Sequence, residues 1–356
     1  MDGVASLLDL PEDVIGAILS NIDVKSVARL KSVCKSWQSI ISNPRFARTH
    51  HLRRSQLPEN QNKSLLVAMH EIGSDLRIYL LKFQAGKFLT ESVFPYQSRH
   101  FVVVPLCSCD GLVLIADAEK LFYMLWNPSI GKTITIHGAG NPHTTIPSLY
   151  YDSVAGDYKI AFFYDDATYA VYSCKDRMWS EARYFPCERS VLFSGDAIDG
   201  CFYGLCGVDE MVCFDAREGR SGMLRQPEGV KGLIEVKVRA ISGRLCLFGL
   251  SSDLQRLQMW VMEKRGRSFD CSWRKLVGME KAECGDNFRP LFLSNEDEVV
   301  MSSGEDWEEG ERHLIYNPGE KRLGVVELDW EFMDRFIPYW ENLYMPRSNV
   351  EEVEEM

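Results

Sequence analysis

The chain has 356 residues, 46% of them hydrophobic and 26% charged, a balance that fits a folded globular protein of one to three domains. Its net charge is −11, from 40 basic and 51 acidic residues; residues 1–54 carry +3 (eight Lys/Arg, five Asp/Glu) and the remainder −14. An acidic main body excludes nucleic acid as the expected partner, since phosphates need Lys and Arg, and no apolar run approaches the ~18 residues of a membrane span.

Residues 10–42 read LPEDVIGAILSNIDVKSVARLKSVCKSWQSIIS. Pro11 suits the start of a helix, and Glu12 and Asp13 place negative charge in its first turn. Ile15, Ile18, Leu19 and Ile22 follow at helical spacing. Asp23 is the expected N-cap of a second helix. Val27, Leu30, Cys34, Trp37 and Ile41 then step by 3, 4, 3 and 4, and Asn43-Pro44 stops the pattern. Three short helices in roughly 40 residues cannot bury enough apolar surface to stand alone. With only Cys34 and no metal-ligand cluster in the segment, it reads as a module whose apolar face another protein completes.

Leu10-Pro11-Glu12-Asp13, Ile18-Leu19, Val27-Ala28-Arg29-Leu30 and Val33-Cys34-Lys35-Ser36-Trp37 together resemble the F-box motif. The resemblance implies docking on Skp1, and through it on cullin, with Leu10, Pro11, Ile15, Ile18, Leu30, Val33, Cys34 and Trp37 as the residues that carry it. Some must hold the helices together and others face Skp1; the sequence does not divide them. The unit is assigned to residues 1–48. The basic cluster Arg45, Arg48, His50, His51, Arg53 and Arg54 is read as a solvated helix end rather than a nucleic-acid patch. Residues 49–64, ending in the polar QLPENQNKS, are read as a linker.

Beyond residue 64 short apolar runs alternate with turn signals, the pattern of many short strands. One class of turn comprises Asp110-Gly111, Asp152-Ser153, Asp199-Gly200, Ser242-Gly243 and Glu296-Asp297, at steps of 42, 47, 43 and 54 residues. A second begins at Asn127, Cys174, Asp215, Glu263 and Asn317, at steps of 47, 41, 48 and 54, and Gln84-Ala85-Gly86-Lys87 lies 43 residues before Asn127. A period near 45 with about four strands per unit predicts a β-propeller of about six blades over residues 65–346, closed near Leu323–Leu328 or beyond. The fold class is therefore α+β multidomain: three helices, then an all-β propeller.

Cys109-Asp110-Gly111-Leu112-Val113 and Leu125-Trp126-Asn127-Pro128-Ser129-Ile130-Gly131-Lys132, echoed by Leu314-Ile315-Tyr316-Asn317-Pro318, are similar to the F-box-associated domain of plant F-box proteins. That resemblance implies a kelch-related propeller that binds a target protein. Together the two resemblances imply a non-catalytic substrate-recognition subunit of a Skp1-cullin-F-box ubiquitin ligase, with an unidentified target. The rivals are a propeller enzyme that uses the F-box for its own turnover, and a sequestering binding protein.

Residues 295–311 hold eight acidic residues and no Lys or Arg, and read as an exposed insertion. Within it Glu305, Asp306, Glu308 and Glu309 are the candidate target contacts, suited to a basic partner. The tail 347–356 is acidic and expected to be disordered. Neither HExxH, GxSxG, P-loop nor GxGxxG is present. The seven histidines are scattered, and Cys201, Cys206 and Cys213 fall in expected strands, so no cofactor or metal is expected. Eleven scattered cysteines without a CxxC or a visible leader imply free thiols in the cytoplasm or nucleus.

Overall fold

The computed structural model describes residues 10–346, apart from 56–63, 73–74, 85, 97–102, 118–121, 139–144, 186–194, 207–209, 266–270, 281–287, 295, 304–311 and 327–335. Four helices come first: α1 (Glu12–Leu19), α2 (Val24–Leu30), α3 (Lys35–Ile41) and α4 (Pro44–Ser55). Asp23 caps α2, its carboxylate accepting the Ser26 N–H at 2.9 Å, and that bond holds its pKa below the ordinary carboxylate value. Asp23→Ala should therefore cost about 1 kcal/mol in a urea melt of the helical unit, and an unchanged midpoint would show the cap to be idle. Asn43 ends the third helix but also starts a fourth, its side-chain oxygen accepting the Arg45 N–H at 2.9 Å. Residues 49–55, expected in a linker, are thus the second half of α4.

The strands form four-stranded antiparallel meanders, one of them with an added strand. The first three, β1 (Ser64–Ile72), β2 (Asp75–Gln84) and β3 (Lys87–Tyr96), share a sheet. The second sheet holds β4 (Val103–Cys109), β5 (Leu112–Asp117), β6 (Phe122–Asn127) and β7 (Lys132–Ile136). The third holds β8 (Thr145–Asp152), β9 (Asp157–Tyr164), β10 (Thr168–Ser173) and β11 (Met178–Trp179), with β12 (Arg183–Tyr184) also on β10. Then follow β13 (Asp196–Ile198), β14 (Cys201–Cys206), β15 (Glu210–Asp215) and β16 (Arg220–Arg225). The next sheet is β17 (Leu233–Ile241), β18 (Arg244–Ser251), β19 (Arg256–Arg265) and β20 (Cys271–Glu280). The last in chain order is β21 (Arg289–Leu293), β22 (Val299–Ser303), β23 (Arg312–Asn317) and β24 (Arg322–Val325). The described strands thus pair into six sheets, and β25 (Ile337–Tyr339) returns to pair with β1, Leu65 opposite Tyr339 and Val67 opposite Ile337. Leu323, a candidate for closure, lies on β24; closure falls to residues 337–339.

Both faces of the inner strands are covered, and that is why they read as unbroken apolar runs rather than alternations. In β5, Leu112, Leu114 and Ala116 pack toward Leu149, Ile160 and Phe162 of the third sheet, while Val113 and Ile115 pack toward Ile78, Leu80, Ile337 and Tyr339. The same two-sided arrangement passes around the molecule. Phe163 and Phe202 share the next seam, then Cys213 and Leu247, then Met259 and Met301, and finally Phe292 and Phe83. Each sheet shares a core with two neighbours, the arrangement of an all-β propeller ring.

The two classes of predicted turn have distinct places. Asp110-Gly111 and Ser242-Gly243 join the first and second strands of their sheets, with both residues of each at positive φ, as a two-residue hairpin of type I′ requires. The turns at Asn127, Asp215, Asn317 and Gln84 join third and fourth strands. Both classes therefore open on one side of the ring.

Candidate functional site

The helical unit has an inside and an outside. Ile15, Leu19, Val24, Val27, Ile41 and Ala47 are buried together, with Leu10, Leu30 and Trp37 packed against them. Of the eight residues expected to carry adaptor binding, Leu10, Ile15, Leu30 and Trp37 thus serve this core, and Ile15, 3% exposed, has no surface to offer a partner. Cys34 is half-buried at the start of α3. Pro11, Ile18 and Val33 point outward: Ile18 is 42% and Val33 54% exposed. Val14, absent from the expected set, joins them at 40%. Pro11, Val14 and Ile18 follow a 3, 4 spacing and so line one side of α1. The described helical unit leaves these apolar side chains partly uncovered; Val14, Ile18 and Val33 keep about half of their surface in water, so its burial by a partner would be worth about half of the roughly 1.5–3 kcal/mol of full burial for each.

The basic cluster is a solvated helix end only in part: Arg45 and Arg53 are exposed, the two histidines are not. His50 is fully buried and His51 nearly so. Arg48 reaches the propeller: its guanidinium stands 3.1 Å from the Asp110 carboxylate and 3.3 Å from the centre of the Tyr151 ring. His51 Nε2 lies 3.3 Å from the other Asp110 oxygen, and the Tyr158 hydroxyl donates to Asp110 at 3.0 Å. Burial pushes the Asp110 carboxyl up, but His51, Tyr158 and Arg48 outweigh it and hold the group below the ordinary carboxylate range. Behind α4, Arg53 donates to Ser20 Oγ at 2.9 Å, and His50 Nε2–H donates to the Ile22 carbonyl at 2.7 Å. Sequence reasoning missed this role because the partner of Arg48 lies 62 residues away.

The C-terminal segment completes the seam. Leu343 is part of the helical core, and Ile130 and Tyr344 pack against it. Asn127 donates from Nδ2 to the carbonyls of Asn342 at 2.9 Å and Tyr344 at 2.6 Å. Ser129 Oγ meets the Tyr339 hydroxyl at 2.5 Å and accepts the Asn342 N–H at 3.1 Å. Asn342 Nδ2 also donates to the Asp110 carbonyl. The two sequence runs centred on Asp110-Gly111 and Asn127-Pro128-Ser129 are therefore where helices, first complete sheet and chain end meet.

Acid should loosen this seam. Burial lowers the His50 pKa, and its Nδ1 has no hydrogen-bond partner among the described residues, so a second ring proton would be unsatisfied. The bond to the Ile22 carbonyl favours its charge without offsetting burial; Arg54 and His51 oppose it, and Asp23 favours it more weakly. The unfolded chain takes up a proton on this ring below about pH 6.5 and the folded chain only at lower pH, so stability falls as pH drops through that value. Asp110 adds to the loss at lower pH, because its stabilisation is present above the unfolded carboxylate pKa of about 3.9 and disappears as pH falls through its lower folded value. The melting temperature should thus decline from about pH 6.5 toward 5, and His50→Gln should flatten that stretch of the curve. An identical slope in the variant would remove His50 from the account.

Glu305, Asp306, Glu308 and Glu309, the candidate target contacts, lie outside the described residues, as does the tail 347–356. Among the described residues no three His, Cys, Asp or Glu side chains are grouped to hold a metal ion, and no helix is long and apolar enough to cross a membrane. Cys34, Cys109, Cys174, Cys206 and Cys246 are free thiols, and burial pushes Cys246 up to about 12. Cys201 and Cys213 are buried in the seam between the fourth and fifth sheets, as small apolar side chains would be.

Residues 70–346 match the family model described as the F-box associated beta propeller domain, and residues 7–49 match the F-box domain. A probable F-box protein of Arabidopsis thaliana is 24% identical across 99% of this chain and 91% of its own length. A putative F-box/kelch-repeat protein of the same plant is 22% identical across 93% of this chain and 91% of its own. The matching family is the F-box associated domain; the expected kelch relation enters only through the names of some relatives. Among solved structures, the beta-propeller domain of Cps50 (Swd1) from Myceliophteria thermophila aligns with a TM-score of 0.40 at 11% identity, over 76% of this chain and 87% of that one.

Proposed function

Because the chain belongs to the F-box associated beta propeller family, we propose that it is the substrate-recognition adaptor of a Skp1-cullin-F-box ubiquitin ligase, without catalysis of its own. The observation that carries this reading is the division of the F-box side chains: Leu10, Ile15, Leu30 and Trp37 build a core, while Pro11, Val14, Ile18 and Val33 stay uncovered. A small helical unit that leaves such residues in water is built to be completed by a partner, here a Skp1-type adaptor. The propeller would hold the target. Its contribution to ubiquitin transfer would be proximity: a bound target meets the charged enzyme at high effective concentration.

The acidic stretch Glu305, Asp306, Glu308 and Glu309 remains our candidate for target contact, favouring a basic surface, and the cytoplasm or nucleus is the expected compartment. The test of the reading is direct binding of the purified full chain to a Skp1-type protein, followed by recovery of cullin on the same complex. Failure of the Skp1-type protein to bind the intact chain would refute the proposal. Binding without cullin would favour a sequestering role instead.

A further inference from the structure

Asp110 and Asp199 occupy the same place in two sheets. Each follows a first strand, has φ of 48° and precedes a glycine. Strand register extends the match. Cys201 pairs with Asp215, and Leu112, one residue before the Val113–Trp126 pair, stands opposite Asn127. Asn127 is thus the counterpart of Asp215, and Ser129 the counterpart of Arg217.

At the second of these turns the charges are answered within the sheet. The Arg217 guanidinium lies 3.4 Å from Asp199 and 3.2 Å from Asp215. At the first, the arginine position holds Ser129 and the second aspartate position holds Asn127, and both face the chain end through Asn342 and Tyr344. No cation of its own sheet reaches Asp110 among the described residues. Arg48 of α4 supplies the charge instead, with the His51 ring nitrogen beside the other carboxylate oxygen. The Tyr151 ring under the Arg48 guanidinium fixes the direction of approach.

We infer that Asp110 is a positioning residue, which through Arg48 and His51 holds the F-box helices and the propeller as one body at a set angle. The inference rests on the adaptor reading for its consequence: a Skp1-type protein on the F-box and a target on the propeller would stand at a fixed separation. Its physical content does not depend on any partner. It also places the boundary of the propeller at the start of α4, so that removing residues 1–55 would strip Asp110 of Arg48 and His51 and bare Leu343 and Tyr344.

The test uses the full chain. Asp110→Asn removes the charge yet suits the backbone, since asparagine tolerates positive φ. Arg48→Gln removes the partner from the other side, and Asp199→Asn is the matched control. Amide hydrogen exchange is followed along the chain, with X-ray scattering and adaptor affinity measured on the complex with a Skp1-type protein. Exchange over α4 and residues 340–346 is expected to rise roughly five- to tenfold in the first two variants, the effect of losing one partly exposed charge-assisted contact. The sheets formed by β13–β24 should be unaffected, adaptor affinity should stay within about threefold, and the scattering profile of the complex should broaden. A merely structural role would raise exchange in every sheet. Unchanged exchange over α4, or an equal rise in Asp199→Asn, would overturn the inference. Because exchange is read on the free chain, an absent adaptor interaction would refute the proposed function and not this coupling.

Discussion

Gly111→Ala should cost the protein roughly 2–5 kcal/mol in a urea melt, far more than the same change at Gly243. The two glycines occupy equivalent hairpin turns at φ of +87° and +73°, so each substitution forces an L-residue into the left-handed region at about 1–2 kcal/mol. Their surroundings differ. A Cβ on Gly243 would meet nothing nearer than the Pro338 ring at 3.8 Å, an ordinary contact. On Gly111 it would lie 2.1 Å from the Trp340 carbonyl oxygen and 2.6 Å from Asn342 Cβ. Backbone cannot swing aside as a side-chain tip can, so the 340–342 segment must lift. Lifting it strains the bonds that Asn127 and Ser129 make to Asn342, and the Leu343 contact with the helical core. Overpacking of this kind adds about 1–3 kcal/mol. Gly111→Ala should also raise exchange over α4. Equal losses at the two glycines would show that the chain end does not press on the Asp110-Gly111 turn.

That crowding explains what was legible in the sequence and what was not. Turns such as Asp110-Gly111 and Ser242-Gly243 announce themselves, because few residue pairs accept two successive positive φ angles. The apolar run Leu112–Ala116 likewise declares a strand buried on both faces. Hidden, by contrast, was anything that depends on a partner distant in the chain. The charge on Arg48 looks the same in water as against Asp110. A closing strand of three residues, Ile337–Tyr339, is too short for any periodicity to show. Ile15 and Ile18 sit one turn apart on a helix of only eight residues, and which of them is covered depends on where α3 crosses. The same ignorance left Val14 out of the docking set.

Ile18→Asp combined with Val33→Asp should weaken binding of a Skp1-type adaptor by at least about a hundredfold and leave the melt of the free chain unchanged. Burying the exposed half of both side chains at an interface is worth together roughly 1.5–3 kcal/mol, and a carboxylate in place of each adds the penalty of an unpaired buried charge. About 2.7 kcal/mol already makes a hundredfold. The free chain should tolerate the change, because both side chains are substantially in water before any partner arrives. Ile15→Ala provides the contrast. It opens a cavity among Leu19, Val24 and Ile41 at a cost of about 2–5 kcal/mol, so adaptor binding and the helical melt should fall together. Trp37→Ala should behave like Ile15→Ala, since the indole packs on the same core. Calorimetric titration with a Skp1-type protein beside a thermal melt separates the two classes. If the double aspartate variant binds within about threefold of the parent, the exposed side of α1 and the turn after α2 are bare surface, and the adaptor must dock elsewhere.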